Sequence, residues 1–248
     1  MGTSPPWSRP STWRGGILVC MTAFAVTTVT GCGAPAGQLE PSHPPGCSRL
    51  LFLGVRGSGE DPAQQLAMGT TVYPIYSALR SADRRVVGYG WPYDAIRPNN
   101  AQLTRDAIAL DNFLNGRARW CPAERVVLAG YSAGARIVGD ALQSASLSAA
   151  AGDRVAAAVL LADPDFNPAD TRTAAGSFDT RYGGSPRRLP YSASLASRIR
   201  SYCRRQDIVC QRDDRAASKI QHGNYVPQQT CQAINFIESA ADLRRSKC

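Results

Sequence analysis

The sequence predicts an α/β fold, a three-layer doubly wound sandwich around a five-stranded parallel sheet. Five short apolar runs, Leu50–Val55, Val86–Tyr89, Val126–Tyr131, Val155–Ala162 and Ile199–Tyr202, have the length and continuity of strands buried on both faces. Segments near Gln64–Ser81, Ala101–Arg117, Ala135–Ser144 and Gln228–Leu243 carry helical spacing or helix-favouring composition. Strands alternating with helices imply a parallel sheet covered on both faces, and the roughly 200 residues involved suit a single domain.

Upstream of the first strand, residues 1–31 contain Arg9 and Arg14, no acid, and an apolar stretch from Gly15 to about Val29 broken by threonines. That pattern is an export signal, too short and too polar for a comfortable membrane span. Val29-Thr30-Gly31-Cys32 resembles a bacterial lipobox, in which Cys32 becomes the lipid-bearing N-terminus of a membrane-anchored, cell-surface protein. Ala34-Pro35-Ala36 offers the alternative of cleavage after Ala36 and release of a secreted chain starting at Gly37. Lipidation is the preferred expectation, because losing Cys20 with the signal and acylating Cys32 leaves an even set of cysteines. Residues 32–46 read as a Pro/Gly-rich tether without periodicity, and 47–248 as the folded domain.

The third strand runs directly into Gly130-Tyr131-Ser132-Ala133-Gly134, which is followed by a helix-like segment. A G-x-S-x-G sequence between strand and helix is a nucleophile elbow: the tight turn pushes the serine Oγ above the sheet, and the glycines let neighbouring backbones approach. In α/β-hydrolases the partners follow in the order Ser, then Asp or Glu, then His. The chain has two histidines. His43 lies in the Pro-rich Pro41-Ser42-His43-Pro44-Pro45, so His222, in a loop able to carry a general base, is the candidate partner of Ser132. Asp207 is the candidate acid, because it lies in the eight-residue segment from Cys203 to Cys210, where a short disulfide loop would hold it rigidly against an imidazole. Asp163 and Asp165, after the apolar run Val159-Leu160-Leu161, compete for that role, although Asp163-Pro164 reads as a turn. Thr171–Leu195 reads as a long irregular excursion that borders the cleft, and Trp91-Pro92-Tyr93 as core or turn aromatics with an acyl pocket as the alternative.

These motifs resemble the cutinase family of serine esterases, whose members include acetylxylan esterases and actinobacterial cutinase-like lipid esterases. Arg56-Gly57-Ser58-Gly59-Glu60 resembles the family's oxyanion loop, Gly130–Gly134 its elbow and Asp207-Ile208-Val209-Cys210 its D-x-V-C acid motif, across roughly Cys47 to Val226. The resemblance implies a cutinase-like α/β-hydrolase fold. It further implies an oxyanion hole built from the backbone N–H groups of Ser58 and Ala133, with a hydroxyl contribution from Ser58. Fungal members usually carry Gln after the nucleophile. Here that position is Ala133, which keeps the N–H and puts the side-chain contribution in doubt. Six cysteines allow 15 pairings. The resemblance implies Cys47–Cys121 and Cys203–Cys210, which leaves Cys231 with Cys248.

Composition narrows the function classes. No C-x-x-C spacing and no second histidine in the folded domain support a metal site, and serine chemistry calls for no cofactor. Without Arg9 and Arg14 the formal charge is +7, from 26 basic and 19 acidic residues. The basic residues fall in scattered pairs, which reads as a solvated surface on a monomer and not as a nucleic-acid stripe. The expected activity is hydrolysis of carboxylic esters, with acyl lipids, cutin-like polyesters or short-chain esters as substrates. Acyl transfer through the same acyl-enzyme, or a catalytically silent surface-binding protein, are the alternatives.

Overall fold

A computed structural model describes residues 46–246 and Cys248; the export signal, Cys32, the cleavage site after Ala36 and the tether up to residue 45 lie outside the described residues. Six parallel strands form one sheet in the order β2-β1-β3-β4-β6-β5. They are β1 (Leu50–Val55), β2 (Val86–Gly90), β3 (Arg125–Tyr131), β4 (Val155–Leu161), β5 (Ala174–Gly176) and β6 (Ile199–Cys203). The helices are α1 (Gly69–Ala82), α2 (Asn100–Trp120), α3 (Ala133–Leu142), α4 (Ala149–Arg154), α5 (Ala193–Ala196), α6 (Lys219–His222) and α7 (Gln228–Ala241).

The period of two along a strand divides the apolar runs between two cores. Leu51, Leu53 and Val55 of β1 join Leu128, Leu160 and the buried faces of α2 and α3, whereas Leu50 and Phe52 join Val127, Val159 and residues of α1 and α7. Every residue of β1 and β4 is buried, which explains why these strands read as unbroken apolar runs. Strand order reverses between β1 and β3. At such a switch point the loops leaving the two carboxyl ends diverge and open a crevice. The segment after β1 and the turn after β3 flank it.

The sheet corrects the expected count by one strand. β5 lies inside the excursion read as irregular, and it pairs Ala174–Gly176 with Ser201–Cys203 at the sheet edge. Three residues, Ala-Ala-Gly, carry neither a β-branched side chain nor a period, so only the long-range pairing with β6 makes them a strand. The one-turn α5 and α6 and the six-residue α4 are too short to show helical periodicity. Trp91 and Tyr93 are core residues, with Trp91 packed edge-on against Phe113 of α2.

Three disulfides are present: Cys47–Cys121 and Cys203–Cys210, the two pairs the family resemblance implied, and Cys231–Cys248, the pair left over. The first ties the entrance of β1 to the end of α2 across 74 residues, whereas the second closes a loop of only 7. If loop-closure entropy dominates, removal should cost about 4 kcal/mol for Cys47–Cys121, about 3 for Cys231–Cys248 and about 2 for Cys203–Cys210. Urea denaturation of the three paired Cys→Ser variants should return that order. A largest loss at Cys203–Cys210 would mean that native packing of the short loop outweighs chain entropy.

Candidate active site

Ser132 follows the last residue of β3 with φ 54° and ψ −119°, a backbone conformation that a non-glycine residue holds only under tertiary constraint. The constraint is close packing on both sides. A Cβ at Gly130 would lie 2.4 Å from the Gly134 carbonyl oxygen, and one at Gly134 would lie 2.2 Å from that of Val55 and 2.4 Å from that of Arg56. The first turn of α3 therefore presses against the end of β1. Ser132 N–H donates to Leu161 O at 2.8 Å, which also binds the turn to β4.

The loop after β1 is pinned beside this turn. Glu60 accepts hydrogen bonds from Gly57 N–H at 2.6 Å and from Thr70 N–H and Oγ1 at 2.7 and 2.8 Å. Gly59 N–H donates to Ala95 O at 2.7 Å. The buried Arg56 guanidinium donates to the carbonyls of Ala67, Trp91 and Tyr93, while Tyr93 OH donates back to Arg56 O at 2.7 Å. Ser58, at the tip, is exposed. Among the described residues neither Ser58 N–H nor Ala133 N–H has a protein acceptor. Both are thus available to an incoming oxygen.

His222 ends α6, whose N-cap Ser218 accepts from Gln221 N–H. Its Nε2 lies 3.1 Å from Ser132 Oγ, and its Nδ1 lies 3.0 and 3.2 Å from the two Asp207 oxygens. The Tyr131 ring stacks on the imidazole at 5.1 Å between centroids, and Tyr131 OH donates to His222 O at 2.8 Å. The imidazole is thereby held at its face, its backbone and one nitrogen. Asp207 is fully buried. Its Oδ1 accepts from Val209 N–H at 2.7 Å, and its Oδ2 accepts from Tyr225 OH at 2.7 Å. Tyr225 OH in turn accepts from Arg204 N–H at 3.1 Å. Burial and the adjacent carboxylate raise the Tyr225 phenol well above its ordinary range, so it stays a donor. When Nδ1–H is donated to Asp207, the Nε2 lone pair faces the serine hydroxyl. This is the tautomer required for removing its proton.

A family model described as Cutinase matches residues 46–241. The chain belongs to the cutinase family of ester hydrolases. It is 26% identical over 237 residues to acetylxylan esterase 2 of Talaromyces purpureogenus, covering 87% of this chain and 97% of that protein. It is 28% identical over 247 residues to the phospholipase Culp4 of Mycobacterium tuberculosis, covering 94% and 97%. Its fold is similar to that of a solved acetylxylan esterase, with a TM-score of 0.68 at 22% identity over 79% of this chain and 99% of that one.

In this cutinase-family chain the competing acids have other partners. Asp163 forms a two-pronged ion pair with buried Arg188, at 2.8 and 3.0 Å, and Arg188 also reaches Asp140 of α3 at 2.6 Å. Asp163 Oδ1 accepts from Asp165 N–H at 3.1 Å, as a turn aspartate does. Asp165 lies 3.6 Å from both Arg136 and Arg188. The Arg188 cluster thus braces the excursion and the end of β4 against the helix that carries the elbow. Sequence reading missed Arg188, Tyr131 and Tyr225. Tyr131 lies within the elbow and Tyr225 three residues after His222, yet no spacing rule marks an aromatic as the support of a histidine or a carboxylate. Arg188, in an arginine-rich chain, carried no signal at all.

Burial, with repulsion from Asp163, raises Asp165 from 3.8 to about 6, against the pull of Arg188 and Arg136. The folded state therefore keeps a proton that the unfolded chain releases. The stability from that proton is full below about pH 4 and is lost as pH rises through about 6. Asp165→Asn should come close to the parent near pH 4 and exceed it by up to about 3 kcal/mol at pH 7.5. Urea denaturation at the two pH values measures this. Reduced stability of the variant at pH 7.5 would mean that the ion pairs outweigh the burial.

Proposed function

We propose that this chain is an exported serine esterase that hydrolyses carboxylic esters through Ser132, His222 and Asp207. The observation that carries the proposal is the unbroken hydrogen-bonded sequence from Ser132 Oγ through the imidazole to a buried carboxylate. His222 Nε2 takes the Ser132 proton as Oγ attacks the ester carbonyl, and the oxyanion is held by Ser58 and Ala133 N–H groups. The positive end of α3 adds to that stabilisation. The imidazolium then protonates the departing alcohol. Water, losing a proton to the same nitrogen, attacks the acyl-enzyme; the carboxylic acid leaves and Ser132 regains its proton. Asp207 holds the tautomer and balances the transient positive charge. Acyl lipids, cutin-like polyesters and short-chain esters are the substrate classes, in keeping with relatives named as an acetylxylan esterase and a phospholipase.

Ser132→Ala and His222→Ala should leave a folded protein whose kcat/KM on p-nitrophenyl esters falls by about 10³-fold or more. Asp207→Asn should lower kcat by about 10⁴-fold by favouring the wrong tautomer. Tyr225→Phe should cost about tenfold or more in kcat, by removing a donor from a buried carboxylate. Asp163→Asn should instead reduce stability with little change in kcat. Steady-state kinetics beside denaturation curves separates these outcomes, and a larger kcat loss for Asp163→Asn than for Asp207→Asn reassigns the acid.

Three disulfides suit an oxidising compartment and support export. Cys32 is the proposed lipidation site, which keeps the enzyme with the envelope, where two acyl chains give stable anchoring. Mass spectrometry of the mature N-terminus is expected to find an acylated Cys32. An unmodified chain beginning at Gly37 would replace anchoring with release and leave the esterase proposal intact.

A further inference from the structure

Arginines that are scattered in sequence meet at the end of the sheet opposite Ser132. Leu50 of β1 pairs with Val86 of β2 and with Arg125 of β3, so the three strands begin side by side. Arg49, Arg84 and Arg85 immediately precede these starts. Helices that return between parallel strands finish at the same end: α1 at Ala82, α2 at Trp120 and α7 at Ala241. Exposed Arg119 and Arg244 are therefore added to the cluster. Part of this charge is consumed locally. Arg125 donates to the Ala240 and Ala241 carbonyls at the end of α7, and Arg85 pairs with Asp83. The exposed acids at this end are Asp242 and, ahead of β4, Asp153. Arg49, Arg84, Arg119 and Arg244 form no ion pair within 4 Å among the described residues, and of these Arg244 alone shares its field with buried Asp83, so most of this charge faces solvent.

Two further observations give this end an orientation. Trp120, the last residue of α2, is 75% exposed, with the Arg119 guanidinium 6.0 Å from its ring centroid. An indole left in solvent beside free arginines is the side-chain pairing that suits the boundary between lipid headgroups and acyl chains. The neighbouring Cys121 is bonded to Cys47, so the chain enters the domain at this same end, with 14 residues between Cys32 and Cys47 in the sequence.

We propose that the amino-terminal end of the sheet is a docking face for an anionic phospholipid leaflet. Trp120 seats at headgroup level, and Arg49, Arg84, Arg119 and Arg244 meet the phosphates. The crevice at the opposite end then points away from that leaflet, toward esters arriving from outside. Docking uses the export reading but neither acylation of Cys32 nor the role of Ser132.

The test uses a chain beginning at Gln38, since every described element and all three disulfides lie downstream of that residue. Co-sedimentation compares pure phosphatidylcholine vesicles with vesicles containing about 30% phosphatidylglycerol. Binding to the anionic vesicles alone, abolished at about 0.5 M salt, is the expected result. One arginine beside an anionic leaflet is worth about fivefold in binding. Arg84→Glu with Arg244→Glu should therefore weaken it by about 25-fold or more, and Trp120→Ala by about tenfold. Circular dichroism follows the fold of each variant, so the vesicle result stands apart from any esterase assay. Equal binding to neutral vesicles, no binding to either, or undiminished binding of the variants overturns the proposal. So does capture by soluble polyphosphate that Trp120→Ala leaves unchanged together with vesicle binding, because the face would then be a general polyanion site.

Discussion

The backbone of Ser132 is the constraint on which the site depends. A left-handed residue at the end of a strand is unfavourable by itself, and it persists here because α3, β1 and β4 close around it. No side chain fits at Gly134, where the carbonyls of Val55 and Arg56 lie within contact distance of a Cβ. The same contact brings the loop after β1 alongside the first turn of α3. One packing event therefore holds the turn that carries the serine hydroxyl and sets the segment after β1 beside it.

Two buried carboxylates close to the sheet's carboxyl end are handled by opposite chemistry. Asp207 is surrounded by N–H and O–H donors and by an imidazole, so its charge is satisfied without a permanent cation. A guanidinium at that position would compete for the carboxylate and withdraw it from the histidine. Asp163 faces Arg188 in a direct ion pair, which suits a brace and leaves nothing for a proton-transfer partner. The difference in partners separates a group poised for proposed catalytic work from one that holds the excursion to α3.

The covalent links follow the same division of labour. Cys203–Cys210 closes a loop around Asp207, where chain-entropy gain is small and positional rigidity matters most. Cys47–Cys121 joins distant segments at the other end of the sheet, beside Trp120 and the arginines. The two ends of the parallel sheet thus carry different chemistry because every strand runs the same way. Carboxyl ends collect the loops around Ser132, and amino ends collect helix termini, the Cys47–Cys121 bond and positive charge.

Strand runs and the elbow were legible in the sequence because each rests on local spacing, and His222 because the chain holds only one other histidine. An apolar run of six or seven residues buries both faces wherever it sits in the sheet, and G-x-S-x-G encodes a turn in five positions. The sixth strand, the brace at Arg188 and the supports at Tyr131 and Tyr225 were decided only by tertiary structure. Ala174–Gly176 becomes a strand through its pairing with β6, and Tyr225 finds Asp207 across 18 residues. The gathering of arginines at one end is likewise invisible along the chain. Residues 49, 84, 119 and 244 share a face because the strands are parallel, and sequence spacing does not record which ends of separate elements the sheet sets side by side.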